Sequence, residues 1–361
     1  MYIKTLELTN FRNHASKAIN FSPAINIIYG ANAVGKTNIL ESIYFCCLGK
    51  GFKSARDRDA IQFGQNQFKI KTEVQKSFGE LFIEIIICSG LNQRRGGVGG
   101  NAPQKFIKLN ATPILRVSEL LGNLTCVFFN PDELKLVREA PEDRRRFMDM
   151  TISQFDKTYF HALTKYNQIL KQRNALLKQF TQTPDEIRSL DIWDAQLATE
   201  AEKITQKRIA FISELKSFVA PIHKQFTNDI EDINIDIETM NSKDILSALK
   251  SARAKDFKLK TTTIGPHRDD LKITINNLDV RQFASQGQQR TAALSLKLAT
   301  LKILEAHTNE KPILLLDDVF SELDESRRAK LLALCAGYQT LITTTDKPFG
   351  KLLDKATLFG V

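Results

Sequence analysis

Hydrophobic and polar positions alternate from the start of the chain. Tyr2-Ile3-Lys4-Thr5-Leu6-Glu7-Leu8 predicts a half-buried strand, and the two-residue period returns at Phe68-Lys69-Ile70-Lys71-Thr72-Glu73-Val74. Phe82 to Ile87 is a more continuous apolar run and also reads as a strand. Ala24 to Tyr29 predicts a short buried strand, after which Ile39, Leu40, Ile43 and Tyr44 recur at helical spacing. The segment Arg94-Arg95-Gly96-Gly97-Val98-Gly99-Gly100-Asn101 carries arginines and glycines that could grip phosphate; its composition fits a hairpin tip better.

Near residue 140 the period changes. Tyr159, Leu163, Tyr166, Leu170 and Leu177 form one helical stripe; Trp193, Leu197, Ala201, Ile204, Phe211 and Leu215 form a second. The break Thr181-Gln182-Thr183-Pro184-Asp185 between them predicts an antiparallel helical hairpin whose stripes pack on each other. Ile230, Ile233, Ile235 and Ile237 return to strand, and an α/β pattern resumes near Thr261. Apolar runs ending in polar groups follow at Ile313-Leu314-Leu315-Leu316-Asp317-Asp318 and at Leu341-Ile342-Thr343-Thr344-Thr345-Asp346. These shifts divide the chain at 1–135, 136–260 and 261–361, with no internal repeat.

With 361 residues, one large domain plus a second is the expectation. A hydrophobic content of 42% and a charged content of 25% fit an ordinary globular protein; the net charge of +10 favours a polyanionic partner. Cys46, Cys47, Cys88, Cys126 and Cys335 form no CxxC pair and read as buried thiols of a reducing compartment. No signal-like leader or spanning apolar run is present, which predicts a cytoplasmic protein.

Gly30-Ala31-Asn32-Ala33-Val34-Gly35-Lys36-Thr37-Asn38 satisfies G-x-x-x-x-G-K-[ST] between the predicted strand and helix. Glycines let backbone N–H groups turn toward phosphate oxygens, Lys36 reaches the β and γ phosphates, and Thr37 offers a hydroxyl to Mg²⁺. Such chemistry needs a carboxylate at the end of a neighbouring strand, and Asp317 supplies it. Asp317 lies near the far end of the chain, so the nucleotide domain is split and the helical hairpin is its insertion. Ser285-Gln286-Gly287-Gln288-Gln289-Arg290 opens another helix and forms a second anion-binding feature. Two chains facing head to tail could each give a phosphate loop to one ATP and the Ser285, Gly287 and Gln288 helix start to the other. An ordinary capped helix is the plainer alternative.

GANAVGKTNILE, FNPDELKLV, PEDRRRFMD, GPHRDDL, SQGQQRTAALSLKLA and LLLDDVFSELD together resemble the bacterial RecF family, a recombination-repair member of the SMC/Rad50-like branch of ABC-type ATPases. The resemblance covers nearly the whole chain. It implies a split ABC-type P-loop head of α/β class, lobe I, with an inserted helical lobe II. It also implies ATP and Mg²⁺ binding, ATP-dependent homodimerisation on double-stranded DNA near single-strand/double-strand junctions, and slow hydrolysis. With RecR, and in many bacteria RecO, such proteins help place RecA on gapped DNA. By the same resemblance Gly30 to Asn38 match the phosphate loop and Asp317 the magnesium ligand. Asp318 matches the position polarising the attacking water; Ser285, Gly287 and Gln288 match the segment facing the partner's nucleotide. Asp324 would lie at the dimer seam and Asp346 near the γ-phosphate. Ala33 departs from the family, where glycine is common; alanine tolerates a positive φ poorly. Asn130 is a candidate for the glutamine-loop position.

Arg12, in NFRNH, is either a further nucleotide contact or a surface arginine after an edge strand. His14 reads as structural, and His267 as a lobe-junction residue or a chemical one. Candidates for DNA are Lys50, Lys53, Arg56 and Arg58 on the head, and Arg144 to Arg146, Lys165, Lys171, Arg173, Lys178, Lys203, Lys207 and Arg208 around the helices. Phosphate contacts of this kind carry no sequence code and weaken steeply with salt. An ABC-transporter ATPase subunit shares the phosphate loop, but the helical insertion and positive charge speak against it. A chromosome-organising SMC protein needs far longer arms than roughly a hundred helical residues at ~1.5 Å each.

Overall fold

The computed structural model describes residues 1–53, 56–90, 104–130, 134–179, 181, 183–239, 244–345 and 356–361. Two compact units emerge, one of residues 1–133 and 300–361, the other of residues 134–299.

The chain begins with β1 (Tyr2–Phe11), β2 (His14–Asn20) and β3 (Ile25–Tyr29), followed by α1 (Lys36–Leu48). Next come β4 (Gln67–Lys76), β5 (Gly79–Cys88), β6 (Gln104–Leu109), β7 (Thr112–Ile114), α2 (Val117–Leu120) and β8 (Cys126–Phe129). The second unit contributes α3 (Leu134–Arg138), α4 (Pro141–Ser153), α5 (Lys157–Gln179), α6 (Pro184–Thr227), β9 (Ile233–Glu238) and α7 (Ile245–Leu259). It continues through β10 (Asp270–Ile275), β11 (Leu278–Asp279), α8 (Val280–Phe283) and most of α9 (Gln286–Thr308). The first unit then resumes with β12 (Ile313–Asp317), α10 (Glu325–Leu334), β13 (Thr340–Thr344) and β14 (Ala356–Gly360).

Two sheets build the first unit. One is antiparallel, in the order β2-β1-β4-β5-β6-β7; the alternation in β4 and β5 places Phe68, Ile70, Val74, Ile83, Ile85 and Ile87 inside. The other is parallel, in the order β14-β3-β13-β12-β8. β8 and β12 read as near-continuous apolar runs because they are buried along their whole length, whereas the edge strand β14 is partly exposed. β12, β13 and β14, from the end of the chain, pair around β3 and β8 from its beginning, so the sheet is assembled from both ends of the sequence. In this register Asp317 stands beside Thr343, and Thr344 beside Tyr29. The strand ends that precede the phosphate loop and carry the acidic residue are thereby side by side, where open parallel sheets bind ligands.

In the second unit α5 and α6 form the expected hairpin. Thr183 and Glu186 make a reciprocal capping box at the start of α6, with Pro184 in its first turn. α6 runs beyond the second apolar stripe to Thr227 and ends at Asn228, whose φ of 52° caps it. Residues 261–299, expected in the C-terminal half of the head, pack here instead. β10 pairs antiparallel with β9, and residues 266–270 are held by arginines of α4 and α6.

Those arginines correct the DNA candidates. Arg144, Arg173 and Arg208 are buried to within 1% of full. Arg144 Nε and Nη2 donate to the two oxygens of Asp270. Arg208 donates to Asp149 Oδ1 (2.7 Å), Asp269 Oδ2 (2.9 Å) and the Pro266 carbonyl (2.6 Å). Arg173 donates to Asp194 (2.6 Å), Asp256 (2.7 Å) and Thr262 Oγ1 (2.9 Å). A buried guanidinium needs such partners to offset its lost hydration, so all three are structural. His267 is bonded inside the same unit: Nε2 donates to the Thr262 carbonyl, Nδ1 accepts from the Tyr166 hydroxyl, and burial pushes its pKa down to about 4. Lys171, by contrast, is exposed. Among the described residues no helix is long and apolar enough to cross a membrane.

Arg173→Ala leaves Asp194 and Asp256 buried with a lost cation, and is expected to cost about 3–5 kcal/mol in urea unfolding. Lys171→Ala should stay within about 0.5 kcal/mol of the parent. Equal unfolding midpoints for the two variants would remove the structural assignment of Arg173.

Candidate nucleotide site

The loop between β3 and α1 is shaped by backbone that only some residues tolerate. Gly35 has φ of 108°, and a Cβ there would lie 2.5 Å from Asn13 Oδ1 and 2.6 Å from His14 Nε2. Gly30 lies so close to the Val361 carbonyl that a Cβ would fall 2.5 Å from its oxygen. Ala33 takes φ of 67°, so the position where glycine is common does need the left-handed conformation.

The turn between β1 and β2 braces this loop. Asn13 Nδ2 donates to the Val34 carbonyl (2.9 Å), and Asn38 Nδ2 donates to Asn13 Oδ1 (2.8 Å). Buried His14 faces the Gly35 carbonyl across 3.1 Å; a carbonyl only accepts, so Nε2 carries the hydrogen. Burial lowers the His14 pKa and keeps the ring neutral at physiological pH.

Lys36 Nζ donates to the Gly30 and Ala31 carbonyls at 2.7 and 2.8 Å, which curls the loop around its ammonium. Thr37 Oγ1 donates to Asp317 Oδ1 (2.8 Å), and Thr343 Oγ1 donates to the same oxygen (2.7 Å). Thr343 Oγ1 also accepts from the Asp318 N–H (3.0 Å), and Asp318 has φ of 51°. Thr343 therefore fixes both acidic residues. A cavity of about 160 Å³ opens here, lined among others by Asn32, Lys36, Thr37, Asp317, Asp318 and Lys53. Among the described residues no three histidine, cysteine or acidic side chains converge. Thr37 and Asp317 suit a hard cation that takes its other oxygens from phosphate and water.

Two candidates have unexpected partners. Lys53, read as a DNA contact, lies on the cavity wall, and its Nζ donates to Asn38 Oδ1 (2.8 Å). Desolvation lowers its pKa, opposed by the charges of Glu41 and Asp317. The loop after α1 folds back along the helix, and the Lys53 N–H donates to Glu41 Oε1; no residue spacing announces that return. Arg12, with φ of 56°, grips both oxygens of fully buried Glu41 at 2.8 Å, and its Nη1 donates to the Asp59 carbonyl. It anchors the β1–β2 turn on α1.

The remaining candidates are spread out. Ser285, Gly287 and Gln288 stand at the start of α9 in the second unit, where Ser285 and Gln288 cap the helix reciprocally. Asp324 caps α10 and pairs with Arg327. Asn130 directly follows β8 and, by the pairing of Phe129 with Leu316, stands level with Asp317. Asp346 and residues 94–101 lie outside the described residues.

A family model described as AAA ATPase domain matches residues 1–322. The DNA replication and repair protein RecF of Lachnoclostridium phytofermentans is 40% identical over 346 residues, 96% of this chain and 93% of that protein. The chain belongs to the RecF family. A solved structure of the recombination mediator protein RecF with ATP superposes with a TM-score of 0.86 at 34% identity, over 97% of this chain and 93% of that one. The head of an Smc protein, 16% identical with a TM-score of 0.55 over 96% and 90% of the two chains, shares the fold. The cavity at Lys36 is the candidate nucleotide site of this RecF-family chain.

Ala33→Gly relieves the left-handed strain and is expected to tighten ATP binding by about two- to fivefold in a fluorescent-nucleotide titration. Lys53→Ala should weaken ATP binding about tenfold, the scale of one lost charge-assisted contact. If Lys53→Ala instead leaves ATP affinity unchanged and weakens DNA binding without nucleotide, its place belongs with DNA.

Proposed function

We propose that this protein is an ATP-gated DNA-binding protein of recombinational repair and replication. The observation that carries the reading is the convergence of Lys36, Thr37, Lys53 and Asp317 on one cavity, in a chain that matches RecF proteins almost end to end. Lys36 and Lys53 neutralise the β and γ phosphates, and the loop amides complete the cradle. Thr37 and Asp317 hold Mg²⁺, which supplies charge neutralisation at the transferring phosphoryl group. Asp318 polarises the attacking water; a short aspartate there supports slow turnover.

ATP joins two copies head to tail, each presenting Ser285, Gly287 and Gln288 to the other's triphosphate. The γ-phosphate contributes contacts that exist only in the closed pair, as a switch requires. Closure sets two basic surfaces along double-stranded DNA, and hydrolysis reopens it. Lys171 and Arg56 remain DNA candidates because both are exposed. Arg56 also lies beside Arg58 and Lys105 on a cavity of about 370 Å³. With RecR, and RecO through it, the protein helps place RecA near single-strand/double-strand junctions in the cytoplasm. The transporter reading finds no support in the relatives.

Lys36→Ala should abolish ATP-driven self-association in light scattering, whereas Asp318→Asn should hold the ATP-bound pair together for longer than the parent. Parent-like dissociation of Asp318→Asn would remove Asp318 from the hydrolytic step. Duplex affinity measured with and without ATP over a salt series should show a steeper salt slope with ATP, since closure adds phosphate contacts. Equal slopes and affinities would end the gating reading.

A further inference from the structure

Ser285-Gln286-Gly287-Gln288 needs only the oxygen of Gln288 to cap its helix. Gln288 Oε1 accepts from the Ser285 N–H (2.8 Å), and the Gln288 N–H faces Ser285 Oγ (3.3 Å). The amide nitrogen is engaged as well: Gln288 Nε2 donates to Glu231 Oε1 at 3.0 Å. Glu231, in the connection between α6 and β9, meets His223 Nε2 with its other oxygen at 3.1 Å. His223 is fully buried near the end of α6, and its Nδ1 stands 3.1 Å from Ser295 Oγ, back on α9. The polar path therefore closes a circuit from α9 through Glu231 and α6 to α9 again.

Hydrogen counting fixes its direction at Glu231. A carboxylate only accepts, so His223 Nε2 carries a hydrogen. Burial holds the His223 pKa below its usual value against the charges of Glu231 and Asp232, and Lys224 pairs with Asp232 at 3.1 Å. At Nδ1 the ring faces the fully buried Ser295 Oγ, whose single hydrogen is also directed at the Thr291 carbonyl (2.8 Å), so the direction is set at Glu231 and not at Ser295. Glu231 has one oxygen for His223 and one for Gln288, so the Gln288 amide has one orientation, oxygen toward Ser285.

We propose that Glu231 is a positioning residue for the Ser285–Gln288 turn, held by His223 and tying the turn to the last turns of α6. The proposal rests on the reading that this turn meets a partner's nucleotide, and the experiment separates the two. In Glu231→Gln the donors of His223 and Gln288 lose their shared charged acceptor, so the bond from Gln288 Nε2 weakens whichever ring nitrogen of His223 carries the hydrogen. Hydrogen exchange by mass spectrometry on the full chain without nucleotide should show the amides of residues 288–290 exchanging about tenfold faster. The swap Glu231→Gln with Gln288→Glu rebuilds every bond. The amide carried by α6's neighbour then accepts from His223 and donates to the relocated carboxylate, which in turn accepts from the Ser285 N–H. Exchange should return to within about twofold of the parent, which general loosening of the unit would not do. Parent-like exchange in Glu231→Gln, or a swap that fails to restore protection, overturns the proposal. In a second arm, Glu231→Gln should weaken ATP-driven self-association about tenfold while single-chain affinity for a fluorescent ATP analogue stays unchanged. Fast exchange with unchanged self-association leaves the positioning role standing and removes the two-chain reading of the turn.

Discussion

One carboxylate oxygen holds the nucleotide site together. Asp317 Oδ1 accepts from Thr37, 280 positions earlier in the chain, and from Thr343, 26 positions later. The two hydroxyls reach one atom because β13 lies between β3 and β12 in a parallel sheet with aligned ends. A two-residue slip of either pair would carry the donor or acceptor some 6–7 Å along the strand and dissolve the junction. The register is set by the ladders that pair β13 with β3 from Thr340–Ile25 to Thr344–Tyr29 and with β12 from Thr340–Leu314 to Thr343–Asp317.

Around that junction the loop is held from below as well as from the side. Asn13 and His14 bond the carbonyls of Val34 and Gly35, and Arg12 pins the same turn to Glu41 on α1. The antiparallel sheet thus helps shape the loop of the candidate site through the turn between β1 and β2. Its polar groups act on backbone carbonyls, leaving the loop amides for the ligand.

The phosphate loop, the acidic strand and the split between them were legible in the sequence because each has a local pattern with a fixed physical meaning. Strand, glycine turn and helix follow in order, and a run of leucines ending in aspartate has few other readings. Basic residues were much less legible. Arg173 and Lys171 sit two positions apart on one helix, yet one is sealed between two aspartates and the other faces solvent. Charge alone does not encode burial; the partners Asp194 and Asp256 lie in other helices, far along the chain. The place of Lys53 on the cavity wall was not legible for the same reason, since it depends on a loop doubling back over α1. The boundary near residue 261 was missed because β10 pairs with β9, a long-range choice that strand alternation cannot specify.

The sheet order also governs how the protein is made. β13 and β12 occupy the interior between β3 and β8, but the ribosome delivers them late, ahead only of the edge strand β14 among the described strands. Until they arrive, β3 and β8 have no neighbours to pair with, and apolar strand surface stays uncovered. Residues 134–299 meanwhile make most of their contacts among themselves, although α9 continues past residue 299. Synthesis therefore passes through a chain with a folded middle and an unfinished ATPase. Its final step is the insertion of adjacent strands into a waiting gap, a slow, non-local closure that leaves the nascent protein dependent on protection from aggregation.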